Sequence, residues 1–324
     1  MKVHRDIQNL PPFRKAVVTI GTFDGVHLGH LRIIEQLTKE AQAIGGETVL
    51  VTFHPHPRKV LPGHQPVPLL NTLPEKIELL RAQGVNHLVV VPFTPEFSTQ
   101  PAERYVEDFL VARFHPHTVI IGYDHRFGRD RNGDFTLLER YAAAHAFKLI
   151  EIPGQIIDEA TISSTRIRNA LLNGQPEEAR RLLGHDYFFE GLVTEGNKLG
   201  RTIGYPTANL AVEDEKLVPG NGVYAVSCEL LAASYKQGGE ANDLQLTAHS
   251  SQLLHGMMNI GTRPTVDGTR RTIEVHLFDF NEDIYGRVLR VYLKKYLRGE
   301  QKFNGLEALK EQLAKDKIAA QEAL

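Results

Sequence analysis

Two histidines three residues apart, His27 and His30, end the run Gly21-Thr22-Phe23-Asp24-Gly25-Val26-His27-Leu28-Gly29-His30. In a first helical turn that spacing turns both imidazoles toward one ligand. Gly29 between them removes a side chain where a nucleotide needs close backbone approach. Paired imidazoles suit phosphoryl chemistry, which asks for donors and cations on the phosphoryl oxygens rather than for a covalent nucleophile. A second group of this character is Ile162-Ser163-Ser164-Thr165-Arg166-Ile167-Arg168. Hydroxyls and guanidinium forks are good phosphate partners, although Ser-Ser-Thr before a helix is first of all an N-cap. By itself, His-x-Gly-His is a weak signal.

The second half carries its own candidates. Gly196-Asn197-Lys198-Leu199-Gly200-Arg201-Thr202-Ile203-Gly204-Tyr205-Pro206-Thr207-Ala208-Asn209 combines glycines with the cations Lys198 and Arg201, but lacks the Gly-Lys-Ser/Thr ending of a Walker A loop. If Thr207 to Leu210 is extended, Thr207 and Asn209 face the same way. A hydroxyl and an amide oxygen are hard ligands that suit Mg²⁺ sharing a nucleotide's phosphates. The bland reading is a glycine-rich turn and a polar surface strand. In Ile273-Glu274-Val275-His276-Leu277, alternation puts Glu274 and His276 on the face opposite the apolar residues. A carboxylate facing a pocket there can act as general base toward an attacking alcohol. Four histidines, His54, His56, His115 and His117, alternate with prolines in rigid turns and have no Cys or carboxylate framework for zinc.

These residues need a frame. Up to about Gly184, strand-like runs (Ala16–Ile20, Glu47–Phe53, His87–Val91, Thr118–Gly122, Phe147–Ile152) alternate with helical ones (Leu28–Ile44, Pro74–Gln83, Pro101–Arg113, Asp134–His145). That rhythm predicts an α/β domain with a doubly wound parallel sheet. Its ligand crevice lies beyond the carboxyl ends of the strands, where the loops after Ile20, Phe53 and Gly122 all fall. Helical segments end near Asn173 and Leu183. Beyond them the rhythm becomes short strands (Tyr187–Glu195, Val223–Leu230, Arg271–Phe278, Val288–Tyr296) and one closing helix near Gly305–Ala319. This predicts an antiparallel sheet or small barrel with a terminal helix. The polar stretch from Ala232 to His255 is expected to be a long surface hairpin tip or a mobile loop.

Composition narrows the function classes. A formal net charge of −2 gives no case for nucleic acid. The single cysteine, Cys228, excludes an internal disulfide framework and sits in a strand-like run as a packed thiol. No apolar run is long enough to span a bilayer and no secretory leader opens the chain. The expectation is a soluble cytoplasmic protein of two domains with no membrane partner.

The first half resembles the adenylyltransferase module of the bacterial bifunctional riboflavin kinase/FAD synthetase family. The matching motifs are Gly21 to His30, Thr52-Phe53-His54-Pro55-His56-Pro57, Gly122-Tyr123-Asp124-His125-Arg126-Phe127-Gly128 and Ile162 to Arg168. The resemblance implies that His27 and His30 assist attack at the ATP α-phosphate. It places Gly21, Phe23, Asp24 and Gly29 with Ser164, Thr165 and Arg168 on the nucleotide, and His56, Asp124 and Arg126 on the flavin side. His125 stands where the family commonly has phenylalanine. The second half resembles the family's flavokinase module through Gly200 to Asn209, Gly222-Val223-Tyr224-Ala225, Asn259 to Thr265, Glu274-Val275-His276 and Leu297 to Phe303. There the resemblance implies a six-stranded antiparallel barrel and Glu274 as base toward the ribityl 5′-hydroxyl. Thr207 and Asn209 would hold Mg²⁺, Lys198, Gly200, Arg201 and Gly204 would bind ATP, and Arg298 and Phe303 would lie near the flavin.

The expected domains are residues 1–184, adenylylating FMN to FAD, and 185–324, phosphorylating riboflavin to FMN. Substrates are riboflavin, FMN and ATP, with Mg²⁺ accompanying ATP, and the oligomeric state is left open. A different His-x-Gly-His nucleotidyltransferase or a synthetase fragment accounts for only the first motif set. A catalytically silent flavin-binding regulator leaves the intact Glu274, Thr207, Asn209, His27 and His30 unexplained.

Overall fold

The computed structural model describes the chain except residues 62, 64–66, 155–161, 197–198, 236–243, 249–252 and 266–267. The chain divides into two compact units, Met1–Ser164 and Thr165–Leu324.

In the first unit the aliphatic run Ala16–Ile20 forms β2, which is buried throughout, as expected of a central parallel strand. On one side it pairs with β3 (Glu47–His54), followed by β4 (His87–Pro92) and the edge strand β1 (Lys2–His4). On the other it pairs with β5 (Thr118–Gly122) and then β6 (Lys148–Ile152), all in parallel. Alternate side chains of β2 enter opposite cores. Val18 and Ile20 join Val51, Val91, Val106 and Phe109, whereas Val17 packs with Leu37 and Ala41 of α1 (Leu28–Ile44). The sheet is therefore doubly wound. Strand order reverses at β2, which opens a crevice beyond the carboxyl ends of β2 and β5.

Local signals set the helix ends. His27 caps α1, and Gly45, at φ 63°, ends it by donating to the carbonyls of Ala41 and Gln42. Thr72 and Glu75 form a reciprocal capping box on the helix Leu73–Ala82. One helix departs from expectation. The segment read as a plain α-helix over Pro101–Arg113 is π-helical from Tyr105 to Val111. Tyr105, Val106, Phe109 and Leu110 are buried along it, a face that 3.6-residue spacing anticipates although it does not anticipate the wider turn.

The second unit opens with the helices Ser164–Leu172 and Pro176–Leu183, the latter closed by Gly184 at φ 83°. Six strands then close a barrel by antiparallel pairing throughout. They run in the order β9 (Gly222–Tyr235), β11 (Leu254–Thr265), β12 (Gly268–Leu277), β8 (Ala208–Ala211), β7 (Phe188–Thr194) and β13 (Val288–Arg298), and β13 returns to β9. The terminal helix Leu306–Glu322 packs Leu313 and Ala320 against Ala225 and Met257. Cys228 is fully buried in β9 and burial pushes its thiol far up, as suits a structural residue.

The Ala232–His255 segment is more regular than a loop. β9 continues to Tyr235 and pairs with β10 (Leu244–Ala248), forming a hairpin whose connection lies outside the described residues. Strand β11 was not legible, because Gly256, Asn259, Gly261 and Pro264 mask its pattern.

Candidate active sites

The first site grows from the loop after β2. Phe23 and Val26 hold φ of 48° and 42°, left-handed values that non-glycine residues adopt only when packing compels them. Both are buried. The turn delivers His27 to the N-cap of α1, where its Nδ1 accepts from the His30 amide at 3.4 Å, placing its ring proton on Nε2. The two imidazoles stack with centroids 3.7 Å apart, and Phe23 backs His30 at 5.0 Å. His30 Nδ1 is buried without a hydrogen-bond partner. Burial, then His27, then Lys76 hold His30 well below the usual histidine range. A neutral imidazole with an unanswered ring nitrogen stands ready for a ligand atom at a helix N-terminus.

Several braces hold the loop. The Thr22 carbonyl accepts from the buried ammonium of Lys76 at 2.7 Å and from the Thr52 hydroxyl at 3.1 Å. Burial lowers the Lys76 pKa, while Asp24 opposes that shift. The Asp24 carboxylate is buried and accepts from the amides of Leu70 and Asn71 at 3.0 and 3.3 Å. Ser164 Oγ donates to the Asp24 carbonyl at 2.9 Å, which brings the Ser-Ser-Thr motif to the histidine loop. Gly21 and Gly29 lie in the loop and the first turn of α1. Thr165 and the buried Arg168 follow on the helix Ser164–Leu172.

The residues expected on the flavin side are arranged more openly. His56 caps a short turn through Nδ1, Asp124 is exposed after β5, and Arg126 pairs with Asp134 at 3.2 Å. His125 sits 5.7 Å from Phe127, and burial, with Arg131, lowers its pKa to about 4. At neutral pH it is an uncharged aromatic ring.

The second site is a cavity of about 300 Å³ in the second unit. Glu274 and Asn209 are register partners across β12 and β8, and both line it with Thr207 and His276. The alternation read in the sequence therefore holds, with Glu274 and His276 on the cavity side. His276 Nδ1 donates to the Pro206 carbonyl at 2.8 Å, which leaves Nε2 as an acceptor. Gly200 lines the cavity because its Cα lies against Tyr205, where a Cβ would come within 2.2 Å of the carbonyl oxygen. Gly204 takes φ 86° and Arg201 is exposed, while Lys198 lies outside the described residues. Arg298, Phe303, Leu309, Leu313 and Asp316 line the same cavity.

Sequence reasoning missed Lys76, Asn71 and Asp316. Glu75-Lys76 looks like a solvated charge pair, yet Lys76 and Asn71 are 6% and 3% exposed. His276 was noticed only as a neighbour of Glu274.

Two family models match the chain, FAD synthetase over residues 11–166 and riboflavin kinase over 183–324. The bifunctional riboflavin kinase/FMN adenylyltransferase of Escherichia coli K12 is 37% identical over 99% of this chain and 97% of its own length. That of Bacillus subtilis is 35% identical over 94% and 92%. The chain belongs to this family. Its two modules are a FAD synthetase and a riboflavin kinase, and their activities make FMN and then FAD. A crystal structure from Streptococcus pneumoniae, described as a macrolide-efflux protein, superposes with a TM-score of 0.85 at 30% identity, covering 99% of this chain and 98% of that one. Among the described residues no helix is long and apolar enough to cross a membrane.

Proposed function

We propose that the barrel cavity is the riboflavin kinase centre, with Glu274 as general base, and that His27 and His30 serve adenylyl transfer. The observation that carries the first assignment is the pairing of Glu274 with Asn209 across β12 and β8, beside Thr207, in one cavity. The Glu274 carboxylate takes the proton of the ribityl 5′-hydroxyl as that oxygen forms its bond to the γ-phosphorus. The bond to the β,γ-bridging oxygen breaks and ADP leaves.

The donor set fits Mg²⁺. Thr207 and Asn209 offer a hydroxyl and a carboxamide oxygen, and no group of three or more His, Cys, Asp or Glu among the described residues could hold a metal alone. Such a pair suits an ion that keeps its waters and shares the substrate's phosphates. When bound, Mg²⁺ neutralises charge on the β- and γ-phosphate oxygens.

In the first unit an oxygen of the FMN phosphate bonds to the ATP α-phosphorus, and pyrophosphate leaves with the electron pair of the broken bond. His27, through Nε2, and the unpartnered His30 Nδ1 donate to the phosphoryl oxygens. Ser164 holds a further phosphate, and His56, Asp124 and Arg126 meet the flavin. The division between activities falls near Gly184, where the helix Pro176–Leu183 ends. The single buried cysteine supports a reducing, cytoplasmic setting.

Flavin chromatography after incubation with ATP and Mg²⁺ tests both assignments. Glu274→Ala is expected to abolish FMN formation from riboflavin while sparing FAD formation from supplied FMN. His30→Ala is expected to do the reverse, so that FMN accumulates. Loss of both steps in either variant would refute separate centres.

A further inference from the structure

Arg298 ends β13, and three of its five N–H donors are engaged before any ligand arrives. Nε donates to Asp316 Oδ1 at 2.9 Å, and Nη2 to Asp316 Oδ2 at 2.6 Å. Nη1 donates to the Gly299 carbonyl at 2.9 Å. From the same helix as Asp316, Gln312 Nε2 adds a third bond to Asp316 Oδ1 at 2.9 Å. The Asp316 side chain is 4% exposed and that of Arg298 16%. Two-point pairing with a buried carboxylate fixes the plane of the guanidinium as well as its position. Its carbon then stands 5.7 Å from the centroid of Phe303, and Arg298, Phe303 and Asp316 line the kinase cavity with Leu309 and Leu313.

Two consequences follow for a ligand. Because Asp316 and Gly299 take three of its five donors, Arg298 offers the cavity its flat face and little of its edge. The carboxylate beside it also cancels its charge, so this wall of the cavity does not attract a phosphate. A planar, uncharged ring system matches both properties, whereas a phosphate dianion matches neither. The carboxylate that creates this selectivity is carried by the terminal helix Leu306–Glu322, not by the barrel.

We infer that Asp316 is a positioning residue of the riboflavin kinase centre, holding Arg298 as a flat, charge-compensated wall for the uncharged isoalloxazine ring. The inference rests on the reading above that Arg298 and Phe303 lie against the flavin.

The test is steady-state kinetics of the full chain bearing Asp316→Asn. An amide cannot accept both guanidinium bonds and leaves the cation uncompensated. The riboflavin KM is expected to rise tenfold or more, with kcat at saturating riboflavin and the KM for ATP within twofold of the parent. Arg298→Lys, which keeps a cation for Asp316 but loses the planar face, is expected to raise the riboflavin KM without lowering the melting temperature.

Should Asp316→Asn fail to fold, Asp316→Glu replaces it, keeping the charge but shifting the fork by one methylene. Its expected effect is a smaller rise in the same KM. If the Arg298 variant raises the riboflavin KM and the Asp316 variants do not, Asp316 has no positioning role. If neither does, the reading that puts Arg298 against the flavin fails, and the inference with it. A fall in kcat together with both KM values and the melting temperature would mark a merely structural pair and overturn the proposal.

Discussion

Replacing Gly196 by alanine should disable the kinase without touching the backbone or the chemistry of any reacting group. A Cβ built at Gly196 lies 2.1 Å from Asn209 Nδ2, 2.7 Å from its Cγ and 3.0 Å from its Oδ1. Ordinary contact begins at about 3.5 Å, so the carboxamide must withdraw by roughly 1.4 Å. The backbone of Asn209 is held by its pairing with Glu274 and Thr194, so the side chain has to give. Gly196 is outside the left-handed region, and alanine brings no strain of its own. Misplacing a positioning group by about 1 Å costs on the order of a hundredfold in rate, or about 2.7 kcal/mol in the barrier.

The assay is FMN formation from riboflavin with free Mg²⁺ varied. A kcat/KM about a hundredfold lower is expected, with a raised Mg²⁺ requirement. FAD formation from supplied FMN and the melting temperature should stay unchanged. A double-mutant cycle then isolates the cause. If Gly196→Ala acts through Asn209, adding it to Asn209→Ala makes the enzyme no worse. Full kinase activity in Gly196→Ala would refute the role given to Asn209, and multiplied losses in the double variant would refute the steric route.

Lys76→Met should lower kcat/KM for FAD formation at least tenfold and leave FMN formation intact, because Thr22 loses its charged brace under the histidine loop. Stability should fall as well, because the substitution leaves the buried Asp24 carboxylate without the cation beside it. Unchanged FAD synthesis would show that the brace does not matter. The pair His4 and His87, whose ring nitrogens lie 3.0 Å apart, should make the first unit acid-labile. Burial, followed by Lys2, lowers His4. Burial outweighs the raising effect of Glu47 on His87. Protons therefore prefer the unfolded chain, so the pair's contribution is complete above the unfolded value of about 6.5 and declines as pH falls below it. Denaturant unfolding at pH 7.5 and 5.5 should show that loss, and His4→Phe should make the slope shallower. An equal slope in the variant would rule the pair out.

Legibility followed the range of the forces involved. The edges of β2 and α1 are visible because a β-branched run, a glycine-bearing turn and 3.6-residue spacing all act within a few residues. Glu274 and His276 could be put on one face for the same reason, since alternation is a local rule. The π-helical stretch and strand β11 were opaque because packing overrode their local patterns. Asn259, Gly261 and Pro264 suggest a turn, yet pairing with β12 along the whole run, and with β9 as far as Ile260, makes the segment a strand.

The groups that hold the reacting residues in place are the hardest to read, for a reason that is physical. Thr22 meets Lys76 across 54 residues, and Arg298 meets Asp316 across 18. Both Lys76 and Asp316 sit on helices among other charged residues, where a lone sequence predicts solvated side chains. Their burial becomes possible only when a partner from another element offsets the cost of desolvation. A reacting group announces itself through its residue type and its loop, whereas its support is defined by a pairing that exists only in the folded chain. Such pairings are where the two centres should prove most sensitive to substitutions that leave every motif intact.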